Sequence, residues 1–269
     1  MRSAGLYSPE AFEEYFRQVA RHLCNGVRIF HDPASTSALA RQQIDLDPTI
    51  SCLTAARASG RGVLLAPAHT VNFVLTLARL NQEIPICIFL RWSSDAEKLR
   101  MKREWCDACG LRVVMEPARS LSATTRAAIC VDELRAGSIL AITPDVAQKA
   151  SEGAAVKIFD RTAYLPTGAA AIAQLAECPI VPLFGRLERS VQELYCQPAF
   201  QVDRVSREEG GRKAALQNAM QTWATHFESF VKRCPPAWFF WGDRSWTRVF
   251  RGDPKYTTCD SSTKEAGEP

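Results

Sequence analysis

His69 stands where a proton-transferring side chain would be useful. It comes two residues after the apolar run 62–67 (GVLLAP). A short apolar run behind glycine is the expected form of a strand buried on both faces. An imidazole just beyond such a strand can take up and return protons near neutral pH. Two other groups occupy comparable places: Arg91 follows the run 84–90 (IPICIFL), and Asp145 follows 138–144 (SILAITP). Ligands of open parallel sheets gather beyond the carboxyl ends of the strands, so these three groups define a candidate site. The plainer reading of each is structural, a histidine or aspartate satisfied within a loop and an arginine in water.

The elements that would carry this site alternate. Apolar runs at 62–67, 84–90, 111–115, 138–143 and 180–184 read as buried strands. Between them, 72–80, 93–109, 123–136 and 168–177 have helical spacing, the last made of small residues. Alternation of this kind predicts a single α/β domain with a central, mainly parallel sheet flanked by helices. A short strand is expected at 156–159, an extended segment at 193–202, and helices at 52–59 and 214–232. At the amino end, Phe12, Phe16, Val19, Leu23 and Val27 recur at three- and four-residue steps, predicting an amphipathic helix over 9–29. Ser8 ahead of Pro9 suits its N-cap. The domain is expected to span 1–254, and 255–269, polar and without apolar period, to form a flexible tail.

Composition narrows the partners. The 269 residues carry a net charge of +4, mildly basic and without the dense Lys/Arg stripe of a duplex-binding protein. That balance excludes nucleic acid as the expected partner and suits an anionic small ligand or an anionic membrane surface. The ten cysteines are scattered, several inside apolar runs, so reduced core thiols are expected. Cys106 and Cys109 form the sole C-x-x-C pair, with no second pair to complete a zinc set. No metal or cofactor is therefore expected. The opening residues lack the apolar core of a signal peptide, and no uninterrupted apolar run of about 18 residues predicts a spanning helix.

The order of these features resembles the bacterial lipid A biosynthesis (lauroyl/myristoyl) acyltransferases of the lysophospholipid acyltransferase superfamily. The resemblance covers 12–250 and rests on GVLLAPAHTVNFV, FLRW, KLRMKREW, LRAGSILAITPD, VKIFDRTAYLPTGAAAIAQLA, PIVPLFG and PPAWFFWGDRSWTRVF taken in sequence. It implies a protein that moves an acyl group from a thioester donor, acyl-CoA or acyl carrier protein, to a hydroxyl or amine. His69 would be the general base, while Arg91 and Arg103 hold anionic groups and the helix that begins at Gly168 lines an acyl pocket. The acceptor would be a small molecule or a lipid, with a protein partner as a further candidate.

The resemblance breaks at one catalytic position. The family motif has an acidic residue five positions after its histidine, where this chain has Val74. Valine can neither orient an imidazole nor stabilise its charged form. Two replacements are open: Asn72, whose side-chain oxygen can accept from a ring N–H, and Asp145, reaching His69 through space. A third reading leaves His69 as a relic. The broader alternatives are then a member repurposed for other chemistry on a soluble or carrier-bound substrate, or a non-catalytic pocket for a lipid or partner. The family also implies a spanning helix ahead of the matched region, and none is read in this sequence, so the expectation is a cytoplasmic protein with at most peripheral contact to the inner face of the membrane. Such contact would come from the closing box, Trp238 to Trp241 with Trp246 and its arginines, unless those aromatics are core. Two variants express these readings. His69→Ala should stop turnover and leave melting nearly unchanged, and Val74→Glu should raise activity if the ancestral geometry survives.

Overall fold

In the computed structural model, residues 1–46, 49–58, 60–90, 93–115, 123–203 and 211–258 are described. The chain opens on α1 (Pro9–His31), whose N-cap Ser8 accepts a hydrogen bond from Ala11 N–H at 3.1 Å. Short elements follow: α2 (Thr36–Gln43), β1 (Ile44–Asp45) and α3 (Thr49–Arg57). The alternating part then runs β2 (Val63–Pro67), α4 (Phe73–Asn81), β3 (Ile86–Leu90), α5 (Ala96–Ala108), β4 (Arg112–Met115), α6 (Ala123–Arg135) and β5 (Ile139–Ala141). A hairpin of β6 (Ala154–Ile158) and β7 (Arg161–Leu165) leads to α7 (Gly168–Ala176), β8 (Ile180–Glu188) and β9 (Val191–Cys196). The long α8 (Gly211–Arg233), α9 (Arg244–Arg251) and β10 (Thr257–Thr258) complete the order.

The main sheet has the order β1-β9-β8-β2-β5-β3-β4 and is parallel except where β9 returns beside β8. A small antiparallel sheet, β10-β7-β6, stands apart from it. The chain is thus an α/β domain with a mainly parallel central sheet. Every residue of β2 is buried, and its alternating side chains feed two cores. Leu64 and Ala66 join the layer containing Trp223, Phe227, Trp238 and Trp246, while Val63 and Leu65 join the layer of Leu53, Leu75, Leu80 and Trp105. This two-faced burial is why the strand reads as a continuous apolar run. Gly62 is needed at its entry, because a Cβ there would collide with the carbonyl oxygens of Leu134 and Ser138.

Chain order and sheet order differ at the decisive place. From β2 the chain steps past one strand position to β3 and on to β4, and β5 later fills the gap. In the β2–β5 ladder Leu65 pairs with Ala141. Four residues further along each strand lie His69 and Asp145, so the parallel register itself sets the two strand ends side by side.

The helix expected over 9–29 is present as α1, and three other expectations are corrected here. The apolar stripe of α1 does not face the core: Gln18, Asn25 and Ile29 are buried, and Phe12, Phe16, Leu23 and Val27 are exposed. The thiols are not all reduced, since α3 packs on β9 and joins Cys52 to Cys196 in a disulfide, with Cα atoms 6.6 Å apart. The single segment expected near 156–159 is a hairpin turned by Phe159 and Asp160, both at positive φ (53° and 56°). Lacking the Asn-Gly or Asp-Gly signal of such turns, it gave no sign in the sequence. Finally, the chain beyond Pro254 does not leave the fold at once, because β10 pairs with β7 and Tyr256 and Thr257 are buried. Residues 259–269 lie outside the described residues.

Candidate functional site

His69 and Asp145 meet. Asp145 Oδ1 lies 2.6 Å from His69 Nδ1, and Asp145 Oδ2 accepts from the His69 backbone N–H at 2.8 Å. The same Oδ2 accepts from Trp238 Nε1 at 3.1 Å, and Trp246 Nε1 donates to the Asp145 backbone carbonyl at 2.7 Å. Asp145 is fully buried, with relative exposure of 0%. A buried carboxyl surrounded by N–H groups must accept on both oxygens, which assigns the Nδ1 proton to the imidazole. In the neutral imidazole Nε2 then carries the lone pair, the form a general base needs.

Aromatic rings fix the imidazole plane. Phe240 stacks on His69 with centroids 4.2 Å apart, and Phe73 meets it edge-on at 4.8 Å. The side chain remains 17% exposed, so the ring is held but not sealed. Phe240 is placed by the same segment that supplies Trp238, because Phe239 N–H donates to the His69 carbonyl at 2.9 Å. The tryptophans of the closing box, 0% exposed at 238 and 246, therefore support the site from within the core. Ala66 and Ala68, just ahead of His69, belong to the core layer that holds Trp223 and Trp238. Both are buried, and Trp223 Nε1 donates to the Ala66 carbonyl at 2.9 Å.

Asn72 is close in sequence but engaged elsewhere. It sits at φ 60° ahead of α4, and its Oδ1 accepts from Asn25 Nδ2 of α1 at 3.0 Å. Its backbone N–H donates to His22 Nδ1, also at 3.0 Å. His22 packs against Phe239 with centroids 4.6 Å apart. Burial, and then the nearby His69, push the His22 pKa below the ordinary histidine value. The polar inner face of α1 thus clamps the turn that follows His69, and Tyr15 OH adds a bond to the Phe239 carbonyl at 3.0 Å. His22, Asn25 and Tyr15 carried no signal in the sequence beyond interrupting an apolar period.

Val74, on α4, is partly buried against the opposite core layer. Gly168 lines a cavity of about 300 Å³ with Phe89, Ile142, Pro144, Val146 and Ile172 among its walls, and neither His69 nor Asp145 lines it. This volume is at the lower end of small-molecule sites, and the lining is mainly apolar. Arg103 is exposed on α5 and does not line that cavity. Arg91 lies outside the described residues. The C-x-x-C pair is buried at the end of α5, with Cys109 as its C-cap, and burial pushes the Cys106 thiol up to about 12 and Cys109 up to about 11. Among the described residues no group of His, Cys, Asp and Glu is arranged to hold a metal ion, and no helix is long and apolar enough to cross a membrane.

Comparison with known proteins agrees with this architecture. The family description "Bacterial lipid A biosynthesis acyltransferase" matches residues 11–248, which include every strand of the main sheet and all the site residues named above. No curated protein matches the chain.

Proposed function

Because the chain belongs to the bacterial lipid A biosynthesis acyltransferase family, we propose that it passes an acyl group from a thioester donor to a hydroxyl or amine, with His69 as general base. The observation that carries the proposal is the His69–Asp145 pair. The acceptor O–H or N–H gives its proton to Nε2 as the acceptor atom attacks the thioester carbonyl carbon. The tetrahedral intermediate then collapses, the C–S bond breaks, and the leaving thiolate takes the proton back from the imidazolium. Asp145 holds Nδ1–H through the cycle and stabilises the transient positive charge, the part an orienting carboxylate plays in other histidine sites. No cofactor is needed for this proton and acyl bookkeeping.

The donor is acyl-CoA or acyl carrier protein, and the cavity beside Asp145 takes the acyl chain. Its mainly apolar walls suit hydrocarbon, and it lies at the carboxyl end of β5, where the lining residues Pro144 and Val146 flank Asp145 in the chain. Arg91 and Arg103 remain candidates for the anionic part of the donor, as guanidinium suits phosphate. The acid missing at position 74 is replaced in this reading by Asp145, and Asn72 acts on the turn rather than on the imidazole.

The test is thiol release from acyl-CoA and from acyl carrier protein, with and without hydroxyl or amine acceptors. Wild type is expected to release thiol, and His69→Ala to lose that activity. The substitution also costs stability, contrary to the expectation from sequence, because Asp145 Oδ1 would stay buried without its donor, at about 1–3 kcal/mol. Saturable donor binding with no thiol release by wild type would overturn the catalytic reading in favour of a binding pocket.

A further inference from the structure

The turn after His69 is held by a second histidine. Asn72 adopts φ 60°, a left-handed conformation that a non-glycine residue keeps only where its surroundings fix it. Three hydrogen bonds do the fixing. The Asn72 N–H donates to His22 Nδ1, its side-chain oxygen accepts from Asn25 Nδ2, and its carbonyl accepts from the Thr76 N–H, each at 3.0 Å. Asn72 is 1% exposed, so solvent does not replace a partner that is lost.

The same histidine shares the ring supports of His69. Phe73, next in the chain after Asn72, meets the His69 imidazole edge-on at 4.8 Å and stacks on His22 at 6.0 Å. His22 also packs on Phe239 at 4.6 Å, and the Phe239 N–H donates to the His69 carbonyl at 2.9 Å. Whatever moves His22 therefore reaches His69 from two sides.

A backbone N–H donor decides the tautomer of His22. Its Nδ1 is the bare nitrogen and the ring proton sits on Nε2. A second proton can enter only at Nδ1, where it would face the Asn72 N–H, donor against donor.

We propose that His22 is a positioning residue for His69, and that its protonation releases the Asn72 turn and stops turnover. The proposal rests on His69 acting as the general base. The acid side of the activity profile then belongs to two histidines. His69 must be neutral to accept a proton, and His22 must be neutral to hold Asn72 and Phe73 in place.

The surroundings of His22 keep this clamp closed at neutral pH. Its neighbours on α1 are Gln18 and Asn25, which do not titrate, Arg21, which donates to the Arg189 carbonyl, and Tyr15, which donates to the Phe239 carbonyl. The turn supplies Asn72 and Phe73 and the closing box Phe239, all uncharged. The remaining group is His69, just beyond β2. Burial, and then the charge of His69, hold His22 below the ordinary histidine value.

The clamp can be observed without turnover, so it and the acyl-transfer reading fail separately. In amide NMR spectra taken from neutral to mildly acidic pH, the Asn72 resonance of wild type is expected to shift with the midpoint of the His22 ring. In His22→Gln, which keeps an acceptor for the Asn72 N–H but does not titrate, that shift should be absent. The second readout is kcat for thiol release against pH. The acid limb of log kcat in wild type should steepen from one proton toward two below about 6.5 and stay at one in His22→Gln. His22→Ala removes the acceptor and should lower kcat at neutral pH by about tenfold or more, with donor KM changing less, because the base is misplaced. His22→Gln should restore most of that loss, and melting curves check that both variants fold. An Asn72 amide that ignores the His22 titration overturns the proposal, whether or not the protein releases thiol. So does an acid limb of equal slope in wild type and His22→Gln. Wild type whose Asn72 amide follows His22 but which releases no thiol would uphold the clamp and strike the acyl-transfer reading.

Discussion

Asp145→Asn changes one atom and reverses the chemistry of its neighbour. The wild-type carboxylate receives Nδ1–H of His69 on Oδ1, and the His69 backbone N–H with Trp238 Nε1–H on Oδ2. An asparagine has one acceptor oxygen. The two fixed donors, at 2.8 and 3.1 Å, require it on the Oδ2 side. The amide NH₂ must then face His69 Nδ1 and donate to it, which moves the imidazole proton to Nε2. A protonated Nε2 cannot accept from the acceptor hydroxyl, and the charge on the imidazolium is no longer compensated. The same change in a serine-protease triad costs about 10⁴ in kcat, equivalent to about 5 kcal/mol of barrier, and a loss of that order is expected here. Stability should fall much less, by about 1–3 kcal/mol, because shape and two hydrogen bonds survive while charge assistance is lost. The assay is steady-state thiol release, with denaturant unfolding of both proteins in parallel. In a His69→Ala background Asp145→Asn should remove almost nothing further, since groups that act as a unit are not additive. A folded Asp145→Asn protein with kcat within tenfold of wild type would refute the reasoning. The carboxylate would then hold the fold and not the proton.

Two other perturbations follow from the same geometry. His22 accepts from Asn72 N–H with a ring that burial and His69 keep below the ordinary histidine pKa. Its contribution to stability is therefore complete above the unfolded-state value of about 6.5 and is lost as pH falls through the folded value. His22→Gln, which keeps an acceptor but does not titrate, should flatten the loss of unfolding free energy between neutral and mildly acidic pH; equal slopes in both proteins would remove His22 from that account. Val74→Glu should not restore activity, because Val74 packs into the layer on the other side of the sheet and Asp145 already holds Nδ1. A carboxylate there is expected to cost roughly 1–3 kcal/mol or to remain protonated, and a folded variant with raised thiol release would show that position 74 does reach the imidazole.

The sequence disclosed the site's parts more readily than their assembly. Apolar runs ending in His69 and Asp145 were visible because strands buried on both faces leave an uninterrupted hydrophobic text. Their pairing was not, because it depends on β5 entering between β2 and β3, and sheet order is decided by tertiary packing. The helical period of α1 was equally visible, but a period reports that one face is apolar and says nothing of which face meets the core. Here Asn25 and His22 found partners on the Asn72 turn, and those polar contacts turned the stripe outward. The short elements α2, α9, β1 and β10 lie at edges, where local pattern is weak and neighbours dominate.

The tryptophan-rich box shows most clearly how composition can be read two ways. Trp, Phe and Arg in one segment suit a bilayer interface and suit a packed core equally, and only the indole N–H groups distinguish them. A tryptophan at a lipid surface satisfies that proton with water or headgroups, whereas a buried one must find an acceptor inside the protein. Trp238 and Trp246 found both of theirs on one residue, the carboxylate and the carbonyl of Asp145. Of the two readings left open for the box, the buried indoles support the packed core, where it fixes the buried acid, while the apolar side of α1 is presented to the surroundings. Both assignments rest on one physical rule, that buried polar groups settle where they can be hydrogen-bonded and apolar residues take the positions left over.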